Sequence, residues 1–283
     1  MSGNLFLAYP NRIDAATLTG GSWAAALPLN NLKTSQITQV ARTSDDALAS
    51  TKFSADLGTA RSLRAFALVN HNLSQSALWK VKLGTTSGGA ELLDTGWVSV
   101  WQMAFDTDLL MWESPSWWIG IGSDEYLGHP FAAIQCLTDW YEARYVTIEI
   151  DDTTNPAGYV QIGRAMIAGG VMPTVNAAYG LRDSWKDYSS MQRAESGAAW
   201  PIARRRARSV EFVLEWLSLI EAATLHEMQR MLGTVGEVLY VFDSTDAEAT
   251  QRYGFLGRLR ELSPIEYPFP RYKKMPFAID EVM

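Results

Sequence analysis

The 283-residue chain has one cysteine, Cys136, and three histidines. A lone thiol excludes a disulfide framework and a thiolate zinc cluster. His71, His129 and His226 stand far apart, in none of the spacings that present paired ligands, so no transition-metal site is expected. No run approaches the roughly eighteen unbroken apolar residues of a membrane span. The opening "MSGNLFLAYPNRID" lacks the basic and then apolar regions of a secretory signal. Synthesis in a reducing cytosol, without membrane insertion, is the expectation. Walker A, G-x-G-x-x-G and G-x-S-x-G motifs are all missing, which leaves nucleotide and acyl-transfer chemistry without support. A basic surplus is missing too. The net charge is −7, and residues 1–172 hold 10 Lys/Arg against 16 Asp/Glu, so nucleic acid is not an expected partner. No cofactor is expected.

What is present is a globular composition, 47% hydrophobic and 19% charged, with eleven tryptophans. The first part alternates with period two. Val81 and Leu83 alternate with Lys80 and Lys82, and Val146, Ile148 and Ile150 share one face of "RYVTIEI". The run "RAFALVN" is apolar on both faces, which predicts a central strand with cover on each side. It leads into the polar turn "NHNLSQS". Asn and Ser in such turns bond their own backbone, so His71 is expected to be a corner and not a catalyst. Between about residues 97 and 140 the periodicity fails, and the stretch reads as a Trp-rich insertion.

Near Pro173 the character changes. Residues 173–200 are small, polar and turn-rich, as in a linker or extended arm. Beyond them, Val210, Phe212, Leu214 and Trp216 alternate with Glu211 and Glu215, giving a strand. One helix is expected over about residues 218–232. Ser218 and Glu221 form its capping box, Gly233 its stop, and Ala222, Leu225, Met228 and Leu232 its apolar face. Two strands follow, "EVLYVF" and "RYGFLGRLREL", then a Pro-rich tail placed to reach a neighbour. The chain therefore reads as mainly β, with residues 1–172 one unit, 173–200 a connector and 201–283 a second, smaller unit.

Three motifs in sequence order carry a resemblance: Asp56-Leu57-Gly58 before the apolar strand, Ala143-Arg144-Tyr145, and a last strand from Ile162 closing on Gly169. Together they resemble the discoidin-type, galactose-binding-like jelly-roll β-sandwich. The second unit, a strand, an amphipathic helix and a β pair, looks like the ring-forming domains of phage tail tube and distal-tail proteins. These resemblances imply a structural protein of a long-tailed bacteriophage virion, assembled in the host cytoplasm. They imply a ring of three or six copies that contacts other tail or baseplate proteins, with host surface glycan as a further partner. A carbohydrate-binding module recognising bacterial surface glycan through its Trp-rich loops is the alternative.

No catalytic residue is expected. Asp106, Asp108, Glu113, Asp124 and Glu125 lie among tryptophans, as in a sugar cleft, but the same composition suits a protein contact with a polar rim. Trp101, Trp112, Trp117 and Trp118 are the expected interface or glycan-binding residues. The pairs Asp151-Asp152 and Asp106/Asp108 match no calcium-loop spacing and read as solvated acids. The one basic run, "ARRRAR", is short and without interleaved aromatics, so Arg204, Arg205, Arg206 and Arg208 are expected at a subunit contact. Cys136 lies among apolar neighbours and reads as a small buried hydrophobe.

Overall fold

The computed structural model describes residues 4–101, 132–193 and 199–283. It opens with β1 (Phe6–Ala8). Eight strands then build the first body: β2 (Thr17–Thr19), β3 (Ala41–Arg42), β4 (Lys52–His71), β5 (Leu78–Gly84), β6 (Leu93–Asp94), β7 (Val98–Ser99), β8 (Ala132–Asp151) and β9 (Gln161–Ala168). β4 and β8 are each twenty residues long. The register between them shifts after Asp56 and again after Leu63, so each strand bends and serves two sheet halves. In one half, β4 lies between β2 and β8, with β5 beyond. In the other, residues 65–69 of β4 lie between β9 and the start of β8. The halves enclose a core that includes Phe53, Phe66, Trp79, Val81, Ile148 and Ile167. This body is a β-sandwich, and the chain is mainly β.

The second body contains β10 (Arg182–Asp187), the pair β11 (Ser190–Arg193) and β12 (Ala199–Ile202), β13 (Arg206–Leu217), helix α1 (Leu219–Leu232), β14 (Glu237–Val241), helix α2 (Ala247–Tyr253), β15 (Phe255–Leu259) and β16 (Lys273–Glu281). Its main sheet runs β1-β14-β15-β16-β13-β10. The chain's first strand is thus the edge of this sheet, paired antiparallel with β14, although sequence places it at the start of the sandwich stretch. Leu7 and Val171 exchange both backbone hydrogen bonds, at 2.9 and 3.0 Å. The neighbouring Gly170 (φ +138°) permits this approach, because a Cβ there would lie 2.2 Å from the Leu7 carbonyl oxygen.

One face of this sheet packs on the sandwich and the other on α1. Ala65, Ala67 and Val69 of β4 and Met166 and Ala168 of β9 meet Phe6, Ala8, Leu239, Val241 and Leu256. The intervening residues Phe66, Leu68 and Ile167 point into the sandwich core. Cover on both sides is the reason that "RAFALVN" has no polar face. On the far side, Leu5, Leu7, Val210, Phe212, Val238 and Tyr240 join Ala222, Leu225 and Met228 of α1.

α1 begins and ends where its caps require. The Ser218 hydroxyl accepts from the Glu221 amide at 3.2 Å, the Glu221 carboxylate accepts from the Ser218 amide at 2.8 Å, and Gly233 closes the last turn. Burial alone would raise the Glu221 carboxyl. Backbone donation by Thr174 (2.7 Å) and Ser218 outweighs it and holds the group at about 2.

Three expectations for this body are corrected. A second helix, α2, is present, capped by the Asp246 side chain on the Ala249 amide and stopped at Gly254. The Pro-rich tail does not reach away, because its second half is β16, an interior strand between β15 and β13. Pro276 is tolerated there because β15 pairs only with residues 279–281, which leaves the strand one-sided at the proline. Trp216 does not follow Phe212 and Leu214 inward. The register slips between Leu214 and Leu217, Trp216 takes a left-handed backbone (φ 62°), and Leu217 fills the buried place.

Candidate binding surfaces

The turn around His71 is a corner held by its own chain. Asn70, left-handed at φ 56°, donates to the Ile37 carbonyl at 2.8 Å. Asn72 donates to the Tyr159 carbonyl (3.0 Å) and accepts from the Gln161 amide (2.7 Å). Asp152 accepts from the Ser74 amide (2.9 Å) and from Asn155 (2.7 Å). His71 itself accepts the Leu73 amide on Nδ1 at 3.3 Å and meets Trp101 edge to face at 5.5 Å. Asn70, His71, Asn72 and Ser74 therefore serve loop closure.

Burial holds the His71 imidazole down at about 4. A histidine lowered from 6.5 binds fewer protons folded than unfolded. Its contribution to stability is therefore lost as pH falls from 6.5 through about 4, and is complete above 6.5. The His71 ring resonances in a two-dimensional NMR titration are expected to stay constant from pH 8 to about 5. A midpoint near 6.5 would place the ring in water and remove the corner reading.

The remaining chemistry-bearing groups of the sandwich are committed elsewhere. Asp56 is held at about 2 by a bidentate bond from Arg144, at 2.8 and 2.9 Å. Cys136 packs against the core between the bodies, and burial pushes its thiol up to about 12. Among the described residues no group of three or more His, Cys, Asp or Glu could hold a metal ion, and no helix is long and apolar enough to cross a membrane.

Of the four expected tryptophans, Trp101 is half-buried against the sandwich core, with Nε1 donating to the Leu73 carbonyl at 3.3 Å. Trp112, Trp117 and Trp118 lie outside the described residues, as do Asp106, Asp108, Glu113, Asp124, Glu125 and His129. Close to the start of that segment Trp97 is exposed, with the Lys80 ammonium 4.4 Å from its ring centre. Lys80 and Lys82 both bind Glu149, at 3.0 and 2.8 Å. An indole beside fixed donors and acceptors is a surface on which a sugar ring can stack and hydrogen-bond.

The four arginines separate. Arg208 is spent inside the second body, where Nη2 and Nε donate to Glu281 at 2.8 and 3.1 Å. Arg206 lies 3.7 Å from Asp187, and Arg204 and Arg205 are exposed. They flank β11 and β12, which form a two-stranded hairpin separate from the main sheet. Trp200 and Met191 on it are 66% and 61% exposed.

The opposite end of β13 carries a second aromatic surface that the sequence reading missed. Trp216 stacks on Phe269 with ring centres 5.6 Å apart and planes 9° apart, and Tyr272 meets it edge-on at 5.4 Å. The three rings, with Pro268, Lys273 and the Glu215–Lys274 ion pair (3.3 Å), line a groove of about 120 Å³. One signal was available. The spacing of three between Leu214 and Leu217 breaks period two and marks a bulge that turns Trp216 outward.

No family model matches the chain, and no curated protein does. Solved structures align over somewhat more than half of it. The chitosan-binding module 1 derived from a chitosanase/glucanase of Paenibacillus sp. IK-5 is 13% identical, with a TM-score of 0.37 over 57% of this chain and 100% of the module. The lectin domain of lectinolysin, complexed with Lewis B antigen, is 14% identical, with a TM-score of 0.36 over 57% of this chain and 98% of that domain. SpGH29 is 10% identical, with a TM-score of 0.34, and the aligned 57% of this chain spans 28% of its length.

Proposed function

We propose that this chain is a non-catalytic binding protein whose sandwich recognises carbohydrate and whose second body joins it to further copies in a larger assembly. The observation that carries the carbohydrate half is the exposed Trp97 with the Lys80 ammonium at its ring, Lys80 and Lys82 both being held by Glu149 across the β5–β8 pair. The sandwich face opposite its own core is already occupied by the second sheet, so its open strand and loop surface is what remains for a ligand. A glycan array followed by calorimetry tests this. Binding to a bacterial surface glycan is expected, with the affinity of Trp97→Ala reduced about tenfold or more through loss of one stacking contact. Failure of the wild-type protein to bind any polysaccharide would remove the carbohydrate half.

The assembly half rests on a separate observation, the exposed apolar hairpin β11–β12. Its proposed setting is the distal tail or baseplate of a long-tailed phage, with tail proteins as neighbours and the virion as the location. Immunogold labelling of intact particles checks that setting. Label at the tail tip is expected, and label absent from purified particles would exclude it.

A further inference from the structure

The second sheet is wider than its cover. The sandwich packs on β1, β14 and β15, and the residues of that contact include none from β16, β13 or β10. The same face of these three strands has no covering layer among the described residues. Cross-strand partners share a face, so Val213 lies beside Pro276 and Glu211 beside Ala278, with Arg182 beyond Glu211. The alternate residues Phe212, Leu214, Phe277 and Ile279 pack toward α1. On the β15 side of β16 the ladder opens. The Arg260 amide donates to the Ala278 carbonyl at 2.9 Å, the chain then diverges, and pairing resumes only between Glu266 and Lys274. Pro276 sits in that gap, where it has no amide to leave unpaired. The opening is a pocket of about 350 Å³, with Val213, Pro276 and Ala278 as an apolar floor and Glu261 and Ser263 of the diverging segment at its side. Its volume lies at the low end of small-molecule sites, about 300–1,000 Å³.

The polar groups of the pocket divide into a spent set and a free set. Arg260 is spent, donating to Glu211 at 2.6 Å and to Asp280 at 3.0 Å. Arg182, Glu261 and Ser263 are free, because among the described residues their side chains have no hydrogen bond or ion pair. Arg182 and Glu261 are exposed and can be hydrated. Ser263 is only 8% exposed, and a hydroxyl buried this far ordinarily has a partner. A bound ligand would supply it. Charge then selects the class of ligand. Two guanidiniums and two carboxylates line the pocket, so it has no net formal charge to favour an anion or a cation. The free set offers a donor, an acceptor and a group that is both, around an apolar floor. Adjacent hydroxyls on a ring with C–H faces complement all of these. We infer that this pocket binds a neutral saccharide unit, with the C–H face of the ring on Val213, Pro276 and Ala278 and its hydroxyls shared among Arg182, Glu261 and Ser263. The inference deepens the carbohydrate half of the proposed function with a second site that shares no residue with the Trp97 surface.

Chemical-shift mapping by NMR on the full chain, titrated with glucose, galactose and N-acetylglucosamine, tests this. The amides of Val213, Ser263 and Ala278 are expected to move with at least one of these sugars, and to move equally in Trp97→Ala. Glu261→Gln and Ser263→Ala are each expected to raise the Kd read from those amides about tenfold. Neither side chain has a partner within the described residues, so both variants should keep the melting temperature of the wild type, which verifies their folding. Glycine and sodium acetate, a zwitterionic and an anionic probe, are expected to leave the same amides unmoved. Movement confined to the surroundings of Trp97 would overturn this site and leave the Trp97 reading standing. Movement at Ser263 and Ala278 with none around Trp97 would do the reverse. Wild-type protein unmoved by all of the sugars, or moved equally by acetate or glycine, would overturn the saccharide pocket. An unchanged Kd in both Glu261→Gln and Ser263→Ala would overturn it as well.

Discussion

Replacing Arg164 with methionine is expected to cost about 3–5 kcal/mol of stability at pH 7, more than most single changes in this chain. Arg164 lies on β9 at the junction of the two bodies and is 1% exposed. Its Nε and Nη2 donate to one Glu237 oxygen at 2.9 and 2.7 Å, Nη1 donates to the Leu32 carbonyl at 3.2 Å, and Nη2 lies 2.7 Å from Asp14. Glu237 is on β14, so this pair ties the sandwich to the second sheet. Burial raises the Glu237 carboxyl above its usual range, and the Arg164 charge works against that rise. Removal of the guanidinium leaves a buried carboxylate whose other oxygen has no hydrogen bond, with Arg258 no nearer than 4.0 Å.

The pH dependence has a definite sign. A carboxyl with a folded pKa above its unfolded value of about 4.5 binds more protons folded than unfolded, so its contribution declines as pH rises through that window. The deficit of Arg164→Met is therefore expected to be larger at pH 7 than at pH 4.5. Urea unfolding at both values measures it, and Glu237→Leu in the Arg164→Met background should recover most of the loss, because no uncompensated charge remains. A deficit below about 1 kcal/mol at pH 7 would mean that Glu237 reaches water and that the pair is not a structural tie.

The second large effect concerns two adjacent residues of a three-residue strand. Phe6→Ala and Leu7→Ala are each expected to destabilise by about 2–5 kcal/mol, although a short edge strand usually tolerates change. Both side chains are fully buried, in different cores. Phe6 faces the sandwich, 5.9 Å from the Trp140 ring and 5.2 Å from the Arg64 guanidinium. Leu7 faces α1, in the cluster with Leu225 and Tyr240. With the sheet between them, the two losses should add to within about 0.5 kcal/mol in the double variant. Chemical denaturation of the single and double variants provides the comparison. A costly Phe6→Ala beside a neutral Leu7→Ala would show that only the sandwich side of β1 is packed.

Much was legible locally. Alternation in "WKVKL" and "RYVTIEI" identified strands, because a half-buried strand needs period two whatever it pairs with. The capping box and Gly233 bounded α1, because cap chemistry spans only four residues. Asn and Ser around His71 marked a corner, because such side chains bond their own turn. The two-faced "RAFALVN" even announced a covering layer, without saying which segment supplies it.

The tertiary structure decided the rest. That layer consists of β1, β14 and β15, and β1 lies more than 200 residues before its neighbour β14. A three-residue strand contains no period long enough to name a partner, so "FLA" found its sheet only through the two cores it closes. β16 was hidden by proline, whose missing amide excludes a strand paired on both sides but not the one-sided stretch that Pro276 occupies. Trp216 followed a pattern of inward residues until a one-residue slip reversed it, and such a slip depends on pairing across β13 and β16. The sequence by itself determined element types, caps and the closed corner, since these depend on residues a few positions apart. Which faces meet, and which aromatics remain outside, was decided only when distant strands had paired, because burial belongs to the assembled sheet and not to any one segment of it.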